Sequence, residues 1–402
     1  MIAYFRYCVA MYRCAFVGSP RYYAWLILLI VGVLLGASAY WKQLQNGLIL
    51  THLSDQVSWG AYIANFTYLV GVAAASVLLV VPTYVYKRQD LKEVVLIGEL
   101  LAVSAIVACL SFVIVDLGRP DRMIHMIPGL GRLNFPRSIL AWDVLVLSGY
   151  LALNLHVPGY LLYAHYRGKT PSRRYYLPLV FLSIAWAISI HTVTAFLYSG
   201  FGGRPFWNTA ILAPRFLVSA FASGPALLTI AFRIISLSGT YPIKETVFNY
   251  LRTVMTFTLP LNFFLLGCEV FLEFYTDSAH TASARYLYFG LHGHHMLTPY
   301  IWSGIAMEIL AMVILFVPRL RASKALILLA SVSCAVGVWI EKGMGLIIPG
   351  FIPSPAGDLV EYSPSATEFW ICVGIWSLGA TIFTVFSKVA LAIKSGRLQM
   401  GS

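Results

Sequence analysis

Charged residues are scarce in this chain of 402 residues, because Asp, Glu, Lys and Arg together make up only 11% of it. A soluble globular domain carries about 25% charged residues, so the composition excludes that class of protein. Hydrophobic residues account for 59% and aromatic residues for 14%, and the mean hydropathy is +0.78. The sequence therefore predicts an integral membrane protein, whose aromatic side chains suit the two membrane interfaces.

The cysteines are few and dispersed, which argues against a resident redox cluster. Six occur, at positions 8, 14, 109, 268, 334 and 372, and none forms a Cys-x-x-Cys pair. An iron–sulfur cluster needs about four grouped thiolates, so we expect none in this chain. His156 and His191 lie well inside apolar segments, but they differ in depth by roughly 20 Å at 1.5 Å per helical residue. We therefore expect no haem held between them.

Sequence motifs of nucleotide binding and of nucleophilic catalysis are also missing. The sequence contains no P-loop, no G-x-G-x-x-G motif after a strand and no nucleophile elbow. The net charge is +12, but the basic residues lie in short loops between apolar segments. They indicate membrane topology and no nucleic-acid partner.

Ten apolar segments are long enough to span a bilayer as helices, which requires about 20 residues each. We predict an all-α integral membrane protein with about ten transmembrane helices. The spans are expected at 22–41, 59–86, 94–117, 139–163, 175–199, 210–238, 247–276, 299–318, 324–341 and 367–393. Trp142 and Pro158 in span four recur at the same offset as Trp302 and Pro318 in span eight. This echo predicts two four-helix bundles, spans 2–5 and 6–9, with spans 1 and 10 flanking them.

The basic residues predict the orientation. Roughly two thirds of the 28 Lys and Arg residues fall on the side of the N-terminus, so we expect both termini in the cytoplasm. Four arginines in the outer loop 118–138 break this bias, which suggests that they have a function there. We divide the chain into a cytoplasmic segment 1–21, a first helix with its outer loop 22–58, two bundles at 59–199 and 200–342, and a final part 343–402.

The densest group of ionisable residues lies at the outer end of spans three and four. Asp116 ends span three, Arg119 and His125 follow it, and Asp143 opens span four. Ionisable residues within membrane segments usually mark functional sites. We predict that Asp116 and Asp143 exchange protons, with Arg119 holding the carboxylates and His125 assisting. The alternative is that ion pairs between neighbouring acids and arginines only fix the loop.

Aromatic and amide side chains at the start of span two predict a binding surface. Trp59, Tyr62 and Asn65 recur at steps of three, which places them on one helical face. Such a face would line a flat pocket for a quinone ring, with Tyr62 or Asn65 bonded to its oxygens. The alternative for Trp59 is an ordinary interfacial aromatic belt.

Three acids and a histidine lie deeper in the spans. Glu99 is expected toward the cytoplasm, Glu308 near mid-membrane and Glu269 in the outer third, while His156 lies near the cytoplasmic side. Together they would carry a proton across the bilayer. The alternative is that the acids pair with neighbours such as Arg215 or stay protonated.

A cluster of three histidines, His292, His294 and His295, lies in an outer loop. The spacing would suit a metal, but no nearby acid or cysteine completes a tetrahedral set. We therefore expect a solvated loop or a contact to a partner, and no metal site.

Four runs of the sequence are distinctive in combination. They are Ser54–Phe66, Asp116–Arg122, Phe135–Asp143 and Ile348–Pro355. Together they resemble the NrfD/PsrC polysulfide-reductase family, in particular its ten-helix branch with DsrP and HmcC, over about residues 22–395. The resemblance implies a membrane subunit, inactive alone, that exchanges electrons with menaquinone or ubiquinone and contains no haem or iron–sulfur cluster. It also implies a ferredoxin-like iron–sulfur subunit on the outer face, often with a multihaem cytochrome c and further membrane subunits.

The resemblance further implies where a quinone binds, namely near the outer face within the first four-helix bundle. The residues of this chain in that region are Trp59, Tyr62, Asn65, Asp116, Arg119, His125, Trp142 and Asp143. Some polysulfide reductases have a histidine in the helix that matches span two, and this chain has none there. The implied location is a prokaryotic inner membrane, in anaerobic respiration or sulfur metabolism.

The resulting hypothesis is a subunit that takes electrons from a quinol and passes them outward, with Glu99, His156 and Glu308 as an added proton route. Two rivals remain, a secondary transporter that uses buried acids as coupling sites and a structural anchor for redox subunits. Against the transporter, the sequence shows no paired short spans interrupted by Gly or Pro that would suggest broken helices.

Overall fold

A computed structural model describes residues 2–127, 129–278 and 281–400, and these ranges fold mostly into helices. Ten helices in them are long and apolar enough to cross a membrane. We number them α1 Pro20–Asn46, α2 Ala61–Val85, α3 Val95–Asp116, α4 Ile139–Tyr166, α5 Arg173–Ser199, α6 Leu212–Leu237, α7 Glu245–Tyr275, α8 Thr298–Phe316, α9 Lys324–Lys342 and α10 Ala366–Lys394. The predicted all-α fold class with about ten spans is confirmed.

Side-chain caps explain where several of these helices begin. Ser138, Ser323 and Ser365 each precede a helix and accept a backbone N–H from its first turn. Caps of this kind satisfy donors that the first turn leaves free. At α10 the cap is reciprocal, because Glu368 accepts the backbone N–H of Ser365 at 2.8 Å. A carboxylate is thereby fixed at the start of α10.

The second helix is the most enclosed of the ten, because almost all of its apolar window is buried inside the protein. It packs against α3, α5 and α6. Its first α-helical stretch ends at Ala74, a second runs over Val77–Val80, and its last turn, Val81–Val85, is π-helical and contains Pro82. Proline lacks the backbone donor that a regular helix uses, so this irregular turn has a local cause.

Packing groups the helices into two four-helix units. Helices α2 to α5 form the first unit, α6 to α9 form the second, and α2 contacts α6 where the units meet. Helices α1 and α10 lie side by side, with α10 against α3. Helices α1 and α10 approach closely, because a Cβ atom added at Gly36 would lie 2.5 Å from the Cα atom of Gly374. The arrangement agrees with the predicted bundles and flanking helices.

Both ends of the described chain lie at the same end of the bundle, which we call the inner end. A helix there, Ile2–Phe16, packs on the start of α3 and on the last turns of α4 and α10. The opposite, outer end holds a short helix, Thr281–Tyr288, and the turns Met344–Ile347 and Pro349–Phe351 that follow α9. Which end faces the cytoplasm stays a prediction from the charge bias.

Candidate functional site

Asp116 is the last residue of α3, at the outer end of the first unit. Its Oδ1 atom is buried and has no hydrogen-bond partner among the described residues. Glu368 and the Tyr62 hydroxyl lie within electrostatic range of its carboxylate. A buried oxygen without a donor costs free energy, so such an atom marks a place where a proton, a water or a ligand belongs.

Tyr62 is fully buried beside Asp116, and hydrogen bonds fix its ring. Its hydroxyl donates to Gln43 Oε1 at 2.7 Å, and the Gln43 amide donates to the Val115 carbonyl at 2.7 Å. Since Val115 precedes Asp116, this chain of bonds through α1 holds the end of α3 in place. The Tyr62 hydroxyl proton is thus engaged by Gln43. The role of Tyr62 toward a quinone stays a prediction.

Glu368 supplies a second acid at this site, and sequence reasoning missed it. It accepts hydrogen bonds from the Tyr362 hydroxyl and from the backbone N–H of His52, the latter at 3.0 Å. Burial raises the pKa of Tyr362, so its hydroxyl remains a donor. The Ser365-x-x-Glu368 spacing is the signal that could have identified this acid, because it is the pattern of a capping box.

Asp143 lies one turn into α4 and is buried in the first unit. Its Oδ1 accepts a hydrogen bond from the Thr194 hydroxyl on α5 at 2.8 Å. Asp116 and Asp143 both lie within electrostatic range of the Tyr198 hydroxyl, which is 2.5 Å from Thr67 Oγ1. The structure therefore brings the two predicted acids to the same outer part of the first unit.

The other predicted residues of the outer loop lie at the surface. Arg119 donates to Asp121 through two nitrogens, at 3.0 and 2.9 Å, and these bonds hold the pKa of Asp121 below its usual range. Arg119 thus forms its ion pair within the loop and not with either buried acid. His125 is exposed in the turn that follows, and Trp142 is exposed with its indole N–H bonded to a loop carbonyl.

Trp59 lies two residues before α2 begins, so it does not share a helical face with Tyr62 and Asn65, which corrects that expectation. Its ring belongs instead to an aromatic cluster at the outer end, where it stacks on Trp207 with centroids 5.9 Å apart. The members are Trp59, Tyr198, Phe201, Trp207 and Phe351. Such ring pairs stabilise the junction of loops from both units.

Asn65 is buried where α2 meets α9 and α10. Its Oδ1 accepts the indole N–H of Trp339 at 3.0 Å and that of Trp376 at 2.8 Å, while its amide donates to the Ala61 carbonyl at 2.8 Å. One acceptor oxygen thus satisfies donors from two helices. Asn65 joins these helices in the structure, and its role toward a quinone oxygen stays a prediction.

A buried charged cluster occupies the second unit. Arg215 on α6 forms ion pairs with Glu269 on α7 and Glu341 on α9. Asn262 donates to Glu341 at 3.1 Å and to Glu308 at 3.4 Å, which links α8 to the same group. Buried charges are tolerated when they are paired and hydrogen-bonded, so this cluster ties the four helices of the second unit together.

The cluster also has unused bonding capacity. Glu269 Oε1, Glu308 Oε1 and Asn262 Oδ1 are buried and have no hydrogen-bond partner within the described ranges. A cavity of about 10 Å³ lined by Arg215, Glu269 and Glu341, among others, adjoins it. This is about the room that one water needs. The alternative that acids pair with Arg215 holds for Glu269, whereas Glu308 is bonded to Asn262.

Lys342 lies at the junction of the two units. Its ammonium donates to the Phe216 carbonyl at 3.0 Å and lies 4.1 Å from the centre of the Phe216 ring. His191 on α5 is buried within electrostatic range of Lys342, and its Nε2 has no hydrogen bond to the described part of the chain. Lys342 is also within electrostatic range of Glu341 and Arg215, and sequence reasoning assigned neither Lys342 nor His191 to the site.

Comparison with known protein families identifies the family to which this chain belongs. The profile of the family described as "Polysulphide reductase, NrfD" matches residues 50–353, a stretch that contains α2 to α9. The chain belongs to the NrfD polysulfide-reductase family. The family resemblance predicted from the four sequence runs is thereby confirmed.

Three relatives match this NrfD-family chain over most of their length. A Halobacterium salinarum protein named as a membrane subunit of dimethyl sulfoxide reductase is 26% identical, over 89% of this chain and 88% of the relative. A selenate reductase subunit of Mesobacillus selenatarsenatis is 22% identical, over 88% and 90%. The Hdr-like menaquinol oxidoreductase integral membrane subunit of Archaeoglobus fulgidus is 24% identical, over 92% and 93%.

The residues predicted for a proton path are separated in the structure. Glu99 lies toward the inner end of the first unit, and its buried Oε2 has no hydrogen-bond partner in the ranges described, although Lys394 is within electrostatic range. His156 is exposed on α4 and does not face the interior. Glu269 and Glu308 belong to the second unit. The position of His156 does not support its predicted place in the path, whereas His191, which was not assigned to the path, is buried.

The histidine loop at the outer end also has an acidic neighbour. His294 Nδ1 lies 3.2 Å from Glu361 Oε2, whereas His292 and His295 are exposed. Sequence reasoning missed Glu361, because it lies far along the chain. Among the described residues no group of three His, Cys, Asp or Glu side chains is arranged to hold a metal ion.

Proposed function

We propose that this chain is the quinone-exchanging membrane subunit of a respiratory oxidoreductase complex in a prokaryotic inner membrane. The relatives support this, since their names describe subunits of reductases or oxidoreductases and one of them names menaquinol. In the proposal, electrons pass between membrane menaquinone or ubiquinone and an iron–sulfur partner at the outer end. The chain acts as part of that complex and not alone.

The observation that carries the proposal is the free, buried Oδ1 atom of Asp116. A quinone carries electrons and protons together, so its site needs a proton-accepting group that no other bond already occupies. Asp116 has such an atom, whereas Tyr62 and Glu368 beside it are held by other hydrogen bonds. Asp143, held by Thr194, is the second proton acceptor in the proposal.

The charged cluster of the second unit gives the proposal a second part. Glu269 and Glu308 each have a buried oxygen without a hydrogen bond to described residues, close to Arg215 and Asn262. We propose that this cluster stores protons while electrons move, and that Glu99 is the acid nearest the inner end. Moving one charge across the membrane corresponds to about 2.3 kcal/mol per 100 mV. Proton movement by this route would therefore add to the energy that the complex conserves.

The outer loop between α3 and α4 presents the surface that we propose for the iron–sulfur partner. Its exposed side chains combine arginines with large apolar residues, namely Arg122, Ile124, Ile127, Leu130, Arg132, Phe135 and Arg137. Apolar side chains rimmed by charge are typical of an interface. A ferredoxin-like subunit with an acidic face would complement this charge. A multihaem cytochrome c and further membrane subunits complete the proposed complex.

Asp116→Asn in the intact complex tests the proposal. The amide cannot take up a proton, so quinol oxidation should fall about 100-fold or more, as expected for the loss of a general base. Asp55→Asn is the matched control, because it makes the same change at an exposed position of the outer end and should leave the rate unchanged. The rate is measured with a soluble quinol analogue, per amount of assembled complex. Parental activity in fully assembled Asp116→Asn complex would favour a purely structural anchor instead.

A further inference from the structure

A groove runs along the N-terminal helix at the inner end, far from the site at the outer end. The helix Ile2–Phe16 packs Tyr7 and Ala15 against α3, α4 and α10. The groove beside it has a volume of about 500 Å³ and is lined by Phe5, Arg6, Val9, Arg13, Val17 and Leu398, among others. Phe5, Val9 and Arg13 recur at steps of four and form one stripe along the helix, which Val17 continues just past its end. Leu398, in the tail that follows α10, lines the other side.

The groove carries positive charge without a compensating acid. Arg6 and Arg13 are exposed, and neither forms an ion pair or a side-chain hydrogen bond with a described residue. Lys388 and Arg397 lie within electrostatic range of Cys14, which also lines the groove. Two arginines thus line a groove whose described lining contains no Asp or Glu, and two further cations lie near it. The ligand that fits here is an anion.

The exposed face of the same helix is aromatic. Tyr4, Phe5, Tyr12 and Phe16 are each more than half exposed. Aromatic rings and arginines on one helix are typical of a segment that lies in the headgroup region of a bilayer. The groove therefore opens at the depth where phosphate groups and acyl chains meet.

We propose that this groove binds one anionic phospholipid, whose headgroup is held by Arg6 and Arg13 and whose acyl chain covers Phe5, Val9 and Val17. The two arginines and the apolar stripe together favour this ligand. A free phosphate would leave the apolar stripe uncovered, and a lipid without net charge would leave the two arginines uncompensated. Basic pockets at the cytoplasmic surface of membrane proteins bind acidic headgroups for the same electrostatic reason. The bound lipid would join the N-terminal helix to Leu398 in the tail that follows α10.

The full chain in nanodiscs of phosphatidylcholine with a small fraction of phosphatidylglycerol tests this proposal. After transfer to detergent, native mass spectrometry counts the lipids that remain on each chain, and we expect one phosphatidylglycerol. Arg6→Gln combined with Arg13→Gln should weaken its retention about 25-fold, because each basic residue near a membrane surface contributes about fivefold. Both arginines are exposed, so their replacement leaves the packing of the helix intact.

Two further variants separate charge from shape. Arg173→Gln combined with Arg174→Gln removes two exposed arginines from the same end, outside the groove, and should leave retention unchanged. Val9→Trp keeps both groove arginines but fills the space, and should release the lipid. The proposal is overturned if the Arg6 and Arg13 variant retains phosphatidylglycerol like the parent, if the control loses it equally, or if Val9→Trp retains it. Displacement of the lipid by excess inorganic phosphate would also overturn it, since that result assigns a phosphate site.

Discussion

Replacing Arg215 tests whether charge holds the buried cluster of the second unit together. Arg215 is only 8% exposed and pairs with Glu269 and Glu341. In Arg215→Gln both carboxylates lose their cation, although Asn262 still donates to Glu341. Removing one partner of a buried ion pair typically costs about 3–5 kcal/mol, because a charge remains in a medium of low dielectric constant.

The structure indicates that the cost of Arg215→Gln lies in the lower part of that range. Lys342 is a second buried cation within electrostatic range of Glu341. An acid that loses its cation can also take up a proton, which limits the free energy that burial of its charge costs. We therefore expect Arg215→Gln to lower the free energy of unfolding by about 3 kcal/mol. Combining Arg215→Gln with Glu341→Gln removes both charges of this ion pair. The double variant should therefore lose less unfolding free energy than the sum of the two single variants.

Reversible denaturation of the purified chain in mixed detergent micelles measures these free energies of unfolding. Arg119→Gln is the control, since it also removes an arginine from an ion pair, but at an exposed position where the pair should contribute nothing measurable. Unchanged stability of Arg215→Gln would refute the reasoning. Strictly additive losses in the double variant would show that Arg215 and Glu341 are not coupled.

Two further substitutions test contacts between helices. Asn65→Leu removes the acceptor of the Trp339 and Trp376 indoles, so we expect a loss of about 1–3 kcal/mol in unfolding free energy and altered tryptophan fluorescence. Unchanged fluorescence would show that the indoles do not depend on Asn65. Gly36→Ala places a Cβ 2.5 Å from the α10 backbone, and such overpacking costs about 1–3 kcal/mol in the same denaturation assay. Gly267→Ala, where nothing lies within 4 Å, is the control, and equal stability of the two glycine variants would contradict the close packing.

The ten helices could be predicted because the rule behind them is local. A run of about 20 apolar residues in lipid must satisfy its own backbone hydrogen bonds, and a helix does so. The third span shows the agreement, since 94–117 was expected and Val95–Asp116 is observed. Asp143 and Glu308 could be recognised for a related reason, because an acid within an apolar run is conspicuous, and both are buried.

The inward faces of the helices could not be predicted in the same way. Helices that are apolar all round have no polar face to mark the outside. The sequence therefore favoured His156 for the proton path, yet His156 is exposed on α4 while His191 is buried on α5. The position of Trp59 depended on where α2 begins, which the apolar pattern alone does not define.

The sequence by itself determined that this chain spans a membrane ten times and that acids lie within the spans, because both follow from apolar runs and their interruptions. Only the tertiary structure decided which acids are paired. Arg215 and Glu341 are 126 positions apart and meet only when α6 packs against α9. Asp116 keeps a buried oxygen without a donor from the described residues, while Tyr62 on α2 bonds to Gln43 on α1 and Glu368 on α10 bonds to Tyr362. Pairing depends on which distant helices become neighbours, and no local pattern contains that information.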